Sequence, residues 1–322
     1  MRILITGGAG YIGSITVKKL LDLGHEVVIA DSLERGNKWA VDKRAKFLKG
    51  NLLSDKFIKK IFNKKFDGVI HFAGYIAAGE SIEKPEIYFK NNLISALNVL
   101  DGMRMSGSDN LVFSSSAGVY GNAQKIPISE NSECFPTNPY GETKLIIEKI
   151  LKWYKIKSVS LRYFNAAGAL LNASLGEAHK PETHIIPLAV EAVVKNKEFA
   201  LFGNNYLTYD GACIRDYVHV LDLAEAHILA LRALWKNKKI LPAYNVGAGR
   251  GYSNKEIIAM VEKISGIKIK VRNEKRREGD VARLVADNSL IKKHLGFKPK
   301  YSDLKIIVKT AYNWHLKQNK IL

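Results

Sequence analysis

Three residues near the middle of the chain have the types and spacing for proton chemistry on an alcohol. Ser116 closes the run Ser114-Ser115-Ser116, and Tyr140-Gly141-Glu142-Thr143-Lys144 reads Tyr-x-x-x-Lys. Helical positions four apart share a face, so Tyr140 and Lys144 would stand together. An ammonium beside a phenol favours the phenolate. Moving a tyrosine from about 10 toward 7 needs roughly 4 kcal/mol of differential interaction. A desolvated lysine plus a positively charged nicotinamide ring can supply it. The phenolate then takes the hydroxyl proton while hydride leaves the same carbon. Ser116 would hydrogen-bond the same oxygen.

A nicotinamide carrier has its own signature at the start of the chain. Thr6-Gly7-Gly8-Ala9-Gly10-Tyr11-Ile12-Gly13 contains both Gly-x-x-Gly-x-x-Gly and Gly-x-Gly-x-x-Gly. Glycines tolerate positive φ and let the backbone approach a pyrophosphate. The helix that follows aims its positive end at that group. Asp31 ends the next apolar run. An acid there accepts from a ribose 2′-hydroxyl and repels a 2′-phosphate, which favours NAD over NADP.

These residues need a scaffold, and the hydrophobic pattern supplies one. Arg2 to Thr6 reads as a strand. Ile12, Ile15, Thr16, Leu20 and Leu23 fall at helical spacing, and Gly24 stops that helix. His25–Ala30, Gly68–Phe72, Asn110–Ser114 and Val159–Tyr163 read as further buried strands with helical patterns among them. The alternation predicts an α/β fold: a doubly wound, parallel, Rossmann-type sheet with helices on both faces. After Asn165 the pattern loosens. Residues 166–181 read as a loop, 187–195 as a helix, 203–205 as a turn, 218–220 as a strand and 223–234 as a helix. The charged stretch 271–280 reads as partly exposed. No repeat or low-complexity linker separates the halves. The expected division is a NAD-binding domain over residues 1–166, with about 213–240 returning to it, and a second, smaller α/β substrate domain over 167–322.

At this point the sequence resembles the extended short-chain dehydrogenase/reductase family, and within it the branch that inverts C4 of UDP-sugars. The resemblance runs along nearly the whole chain. It rests on Thr6–Gly13, His71-Phe72-Ala73-Gly74, Gly79-Glu80-Ser81, Asn91-Asn92, Ser114–Gly121, Pro139-Tyr140-Gly141 with Lys144, and Arg162-Tyr163-Phe164-Asn165. It continues through Thr183-His184-Ile185-Ile186-Pro187, Arg215–Val220 and Arg276-Arg277-Glu278-Gly279-Asp280. It implies redox-neutral epimerisation of a UDP-hexose through a 4-keto sugar, with Ser116, Tyr140 and Lys144 catalytic. It implies NAD contacts at Gly7, Gly10, Tyr11, Ile12, Gly13 and Asp31, at Asn51 and Leu52, at Phe72, Ala73 and Gly74, and at Asn92, Tyr140, Lys144 and Phe164. Besides Ser116 and Tyr140, it implies substrate contacts at Asn165, His184, Ile185 and Phe202, at Arg215 and Arg277 (diphosphate), at Asp280 (ribose), and at Leu284 (sugar). It further implies a homodimer, through residues 90–100 and 144–154.

Some positions depart from that family's pattern. Where an aspartate usually reads adenine, this chain has Gly50-Asn51-Leu52; asparagine can still accept from the adenine amino group. A lysine common near the cofactor ribose is here Ile76. Where the related dehydratases carry an Asp-Glu pair after the serine, this chain has Ala117-Gly118, which cannot move a proton. UDP-uronate or UDP-pentose epimerisation uses the same chemistry and stays open. A non-catalytic NAD-binding regulator would be expected to lose Tyr140 or Lys144.

Composition bounds the rest. The chain has 322 residues, 47% hydrophobic, without an apolar run long enough to span a membrane. Met1-Arg2 leads straight into an apolar strand, which predicts no signal peptide. Two cysteines, Cys134 and Cys213, fit a reducing cytoplasm rather than a disulfide framework. The net charge of +19 raises nucleic-acid binding. The basic residues are mostly scattered lysines, without a recognisable nucleic-acid motif, so no nucleic-acid partner is expected. The reading names no metal site.

Overall fold

The computed structural model describes residues 1–276 and 280–321. The chain opens with β1 (Arg2–Thr6), α1 (Tyr11–Asp22), β2 (Glu26–Asp31), β3 (Lys46–Lys49), α2 (Asp55–Ile61) and β4 (Gly68–His71). The short helices α3 (Ala78–Glu83) and α4 (Pro85–Tyr88) lead through a π-helical turn, Phe89–Leu93, into α5 (Ile94–Ser106). Next come β5 (Asn110–Ser116), a 3-10 turn (Ala117–Tyr120), α6 (Pro139–Leu151) and β6 (Lys157–Tyr163). The second half holds β7 (Asn165–Ala167), α7 (Ile185–Val194), β8 (Phe199–Phe202), β9 (Ile214–His219), α8 (Val220–Trp235) and β10 (Ala243–Val246). It ends with β11 (Gly251–Ser253), α9 (Asn254–Ser265), β12 (Val271–Glu274), β13 (Arg283–Leu284), α10 (Ser289–Leu295) and α11 (Leu304–Ile321).

Seven parallel strands form the main sheet in the order β10-β6-β5-β4-β1-β2-β3. Side chains alternate across a strand, and β1 makes this visible. Ile3 and Ile5 pack with Val17 and Leu20 of α1, Leu223 and Leu231 of α8, and Ile291 of α10. Leu4 faces the other way, with Phe57 of α2, Val99 and Leu100 of α5, and Ile147 of α6. Both faces are therefore covered, as the near-continuous apolar strands require.

A smaller assembly follows. β9 pairs with β7, β11 and β13, and β8 pairs with β12. Ile186 and Val190 of α7, Ile257 and Val261 of α9, and Ile307 and Val308 of α11 close its core. The two assemblies interleave, because α8 and β10 return to the main sheet after β9.

Two local readings are corrected. The strand expected at 218–220 spans Ile214–His219, and Val220 starts a helix. His219 causes the switch: its Nδ1 accepts the Leu221 N–H at 3.1 Å and caps α8. The loop read from residue 166 overlaps the last two residues of the paired strand β7. The edge strand β10 carries no alternation that sets it apart from a buried turn; only its pairing with β6 defines it.

Candidate active site

The glycine turn is shaped by close backbone approaches. Gly7 has φ +71, and a Cβ there would sit 2.6 Å from the Ala73 nitrogen. A Cβ on Gly13 would sit 2.2 Å from the Gly7 carbonyl oxygen. These two glycines let α1 start directly over the turn and against the end of β4. Gly10 differs: its only near neighbour would be the Gly7 oxygen at 3.3 Å. Gly10 is the N-cap of α1 and offers no side-chain cap, so the first amides of the helix remain for an anion. Asp31 is buried at the end of β2, where its carboxylate accepts from Ala9 N at 3.0 Å and Leu33 N at 2.8 Å. Burial pushes its pKa up, and those two donors oppose the rise. The cradle and the oriented acid fit a dinucleotide with a free ribose hydroxyl.

The residues expected to handle the proton meet at the ends of β5 and α6. Ser116 ends β5 and turns back to accept the Gly118 N–H at 3.0 Å. Asn138 caps α6 by accepting from Gly141 N at 2.9 Å, and Pro139 begins the helix. A Cβ on Gly141 would lie 2.6 Å from the Gly118 oxygen, so α6 can start against the 117–120 turn only because residue 141 is glycine. This contact brings Tyr140 and Ser116 to the same side of Gly118, whose added Cβ would lie 3.3 Å from Ser116 Oγ and 3.8 Å from the Tyr140 ring. Ser81 accepts the Tyr140 N–H at 3.2 Å. Lys144 is 3% exposed; its Nζ donates to the Ser114 carbonyl at 2.8 Å and lies 5.8 Å from the Tyr140 ring centroid.

The electrostatics refine the sequence expectation. Burial drives Lys144 down to about 8, against the pull of Glu148. Burial raises the Tyr140 phenol, and the Ser116 hydrogen bond opposes it. Burial therefore holds the phenol above its ordinary value before the charge of a nicotinamide ring is added. Ser116 is the group in the site that favours the phenolate.

The remaining expected residues divide. Asn92 is buried in the π-helical turn. It accepts from Tyr75 N at 2.8 Å and donates to Tyr75 O and Thr143 Oγ1, both at 3.1 Å. Its side chain clamps the Gly74–Tyr75 loop. Asn51 Oδ1 accepts from Leu53 N at 2.8 Å, and Leu52 is buried beside it. Tyr11 donates to the Gly168 carbonyl, Ile12 follows it on α1, and Phe72 packs 4.6 Å from the His227 ring. Phe164 and Leu284 join Ala117, Val119 and Tyr120 in one apolar cluster behind the serine turn. Asn165 donates to the Asp216 carbonyl at 3.1 Å. Arg215 and Asp280 meet at 3.3 Å, and Arg215 also donates to the Val281 carbonyl at 2.8 Å. Phe202 ends β8. His184 caps the start of α7 before Ile185, but its Nδ1 lies 2.9 Å from Glu177 and 2.8 Å from Glu182. Arg277 lies outside the described residues.

Sequence reading missed the groups that hold this geometry. Arg162 and Glu148 form a buried pair at 2.6 Å, Ser115 donates to Glu148 at 2.6 Å, and Arg162 reaches Tyr120 at 3.0 Å. Glu148 stands one helical turn beyond Lys144, a spacing that could have flagged it. Ser81 stands in one of the family motifs, with no spacing that marks its role, and Thr143 carries no such signal.

A dinucleotide turn, a ribose-reading acid and a Ser–Tyr–Lys group on a parallel sheet define a NAD-dependent enzyme that moves hydride and proton at a carbinol carbon. The chain belongs to the NAD dependent epimerase/dehydratase family, whose profile matches residues 3–247. It is 44% identical to the UDP-glucose 4-epimerase of Lacticaseibacillus casei over 98% of this chain and 97% of that protein. A solved UDP-glucose 4-epimerase from Bifidobacterium longum, in complex with NAD+ and UDP, superposes with a TM-score of 0.94 at 35% identity, covering 100% of both chains. The UDP-Glc/GlcNAc 4-epimerase of Campylobacter jejuni superposes with a TM-score of 0.85 at 38% identity, over 98% of this chain and 99% of that one.

Proposed function

We propose that this chain epimerises UDP-hexoses at C4, interconverting UDP-glucose and UDP-galactose with no net oxidation. The observation that carries the reading is the Ser116–Tyr140–Lys144 group beside the dinucleotide turn, followed by Ala117-Gly118 instead of an acid pair. Bound NAD would supply the hydride acceptor and a positive charge. Tyr140 would take the O4 proton as hydride leaves C4, and would return it to the same oxygen when, after the 4-keto sugar has turned over, hydride comes back to the opposite face of C4. Ser116 donates to the phenolate, and Lys144 holds its charge close by. Dehydration would need an acid and base at 117 and 118, and neither residue titrates.

Arg215 supports the nucleotide grip, since a guanidinium matches diphosphate oxygens. Asp280, already paired with it, suits the uridine ribose. Leu284 supports a sugar pocket with room for a 2-acetamido group, because it packs behind the serine turn and is shorter than a tyrosine. A homodimer through α5 and α6 is supported by exposed apolar side chains there: Ile94 and Met105 on α5, and Trp153 just beyond α6, 87% exposed. Unpaired Cys134 and Cys213 fit a reducing cytoplasm.

The test incubates the purified protein with UDP-glucose and no added oxidant, and identifies the products by NMR. UDP-galactose should accumulate to equilibrium without NADH build-up. Stoichiometric NADH release would mean a dehydrogenase, and conversion of UDP-xylose or UDP-glucuronate alone would move the substrate class.

A further inference from the structure

The segment between β7 and α7 holds four metal-ligating side chains within eight residues, and the chemistry at C4 uses none of them as a metal ligand. We propose that Glu177, His179, Glu182 and His184 bind a divalent first-row transition ion in a tetrahedral N2O2 site, with zinc the best-fitting ion. One ligand atom from each residue lies within 4.8 Å of the other three. His179 Nδ1 stands 3.0 Å, and His184 Nδ1 2.9 Å, from the same Glu177 oxygen. Glu182 Oε2 lies 4.0 Å from His179 Nδ1, and Glu182 Oε1 lies 2.8 Å from His184 Nδ1. A tetrahedral ion with bonds of about 2.0–2.2 Å needs ligand atoms roughly 3.3–3.6 Å apart. The present separations bracket that edge, so small side-chain rotations complete the site.

The frame is built in advance. Glu177 is 5% exposed, and its carbonyl accepts the Trp314 indole N–H at 2.8 Å. A Cβ on Gly176 would lie 2.5 Å from the Trp314 ring, so this loop can lie on α11 only through glycine. One Glu182 oxygen accepts from Thr183 N at 2.7 Å and His184 N at 2.8 Å, which orients the other. His184 is fixed by the start of α7. Two carboxylates and two imidazoles match the ligand preferences of zinc, whereas magnesium prefers an all-oxygen octahedron. Two anions, two neutral imidazoles and one divalent ion also leave the buried cluster uncharged. The His179 ring stands 6.3 Å from Tyr11, edge to face, so the ion would stiffen the wall behind the glycine turn.

The test strips the NAD-loaded full-length protein with a chelator and titrates Zn2+ against a chromophoric competitor. One ion per chain should bind, and excess Mg2+ should not displace it. Co2+ in its place should give the visible bands of a tetrahedral ion. His179→Ala, at a partly exposed position, should weaken Zn2+ by about 10-fold or more with an unchanged circular dichroism spectrum. Glu177→Gln is a second variant, and His179→Ala decides if that one fails to fold. Absence of stoichiometric binding, octahedral cobalt bands, or an affinity unmoved by His179→Ala would overturn the proposal; the cluster would then be a set of histidine–glutamate hydrogen bonds alone.

Discussion

At the scale of single residues, the proposed chemistry involves two groups that burial shifts in opposite directions. Tyr140 is raised by burial and must give up its proton to act as a base. Tyr140→Phe should retain the fold and bound NAD but lose about 100-fold or more in turnover; near-normal turnover would remove Tyr140 from the role. Lys144 titrates at about 8, so its positive charge is present below that pH and lost above it. The kcat/KM profile should therefore fall on the alkaline side at or below about 8, since the charge of bound NAD lowers Lys144 further. Lys144→Arg, which stays charged, should shift that limb upward even at reduced rate; an unmoved limb would assign it to another group. Leu284→Tyr should lower the kcat/KM ratio of UDP-N-acetylglucosamine to UDP-glucose, by a factor corresponding to about 1–3 kcal/mol. An unchanged ratio would place Leu284 in the core alone. Tyr140 and Lys144 were legible because one helical turn separates them. The holding groups were not, because Ser81 and Arg162 reach the site from distant segments.

At the scale of elements, β1, the glycine turn and α1 form the part that sequence pattern describes best. Apolar alternation, glycine spacing and helical periodicity all agree there. The structure adds the reason for each glycine. Gly13→Ala would place a methyl 2.2 Å from the Gly7 oxygen, and α1 would have to back away from the turn. Overpacking of this kind costs about 1–3 kcal/mol, and NAD affinity should fall roughly 5- to 100-fold. Gly79→Ala, with no atom within 4 Å, should leave affinity unchanged. Isothermal titration with NAD distinguishes them, and equal affinities in the two variants would sink the steric account. The second assembly was less legible for physical reasons. β7, β11 and β13 have two or three residues each, too short for a period to appear. β10 is defined by its pairing with β6. Glu177 and His179 lie in what pattern alone reads as a loop and Glu182 and His184 just beyond it, and their spacing does not show that two carboxylates and two imidazoles converge.

At the scale of the whole molecule, neutral histidines are built into the core on both sides of the interleaving. His71 ends β4 and meets Thr6 Oγ1 at 2.7 Å. His219 joins β9 to α8 and reaches Thr310 of α11 at 3.1 Å. His227 lies on α8 against Phe72, with Nδ1 donating to the Leu223 carbonyl at 2.8 Å. Burial lowers their pKa values to about 3, 4 and 4, with the charge of Lys144 adding to the effect at His71. Unfolded histidine titrates near 6.5. Above that pH both states are neutral and these groups leave stability intact. As pH falls from 6.5 toward 4, the unfolded chain takes up protons that the native one refuses, and stability is lost. Each histidine should cost about 2 kcal/mol by pH 5, at about 1.4 per unit. Asp216, raised to about 6 by burial, acts in the opposite direction below that pH, as do the raised Asp31, Glu130 and His184, whereas the lowered His25 and His315 act with the three core histidines. The urea midpoint should therefore drop clearly between pH 7.5 and pH 5. In His227→Gln the drop should shrink by about 2 kcal/mol, because the other titrating groups cancel in the comparison. An identical pH dependence in wild type and variant would show that His227 titrates alike in both states, and that the core does not hold it neutral.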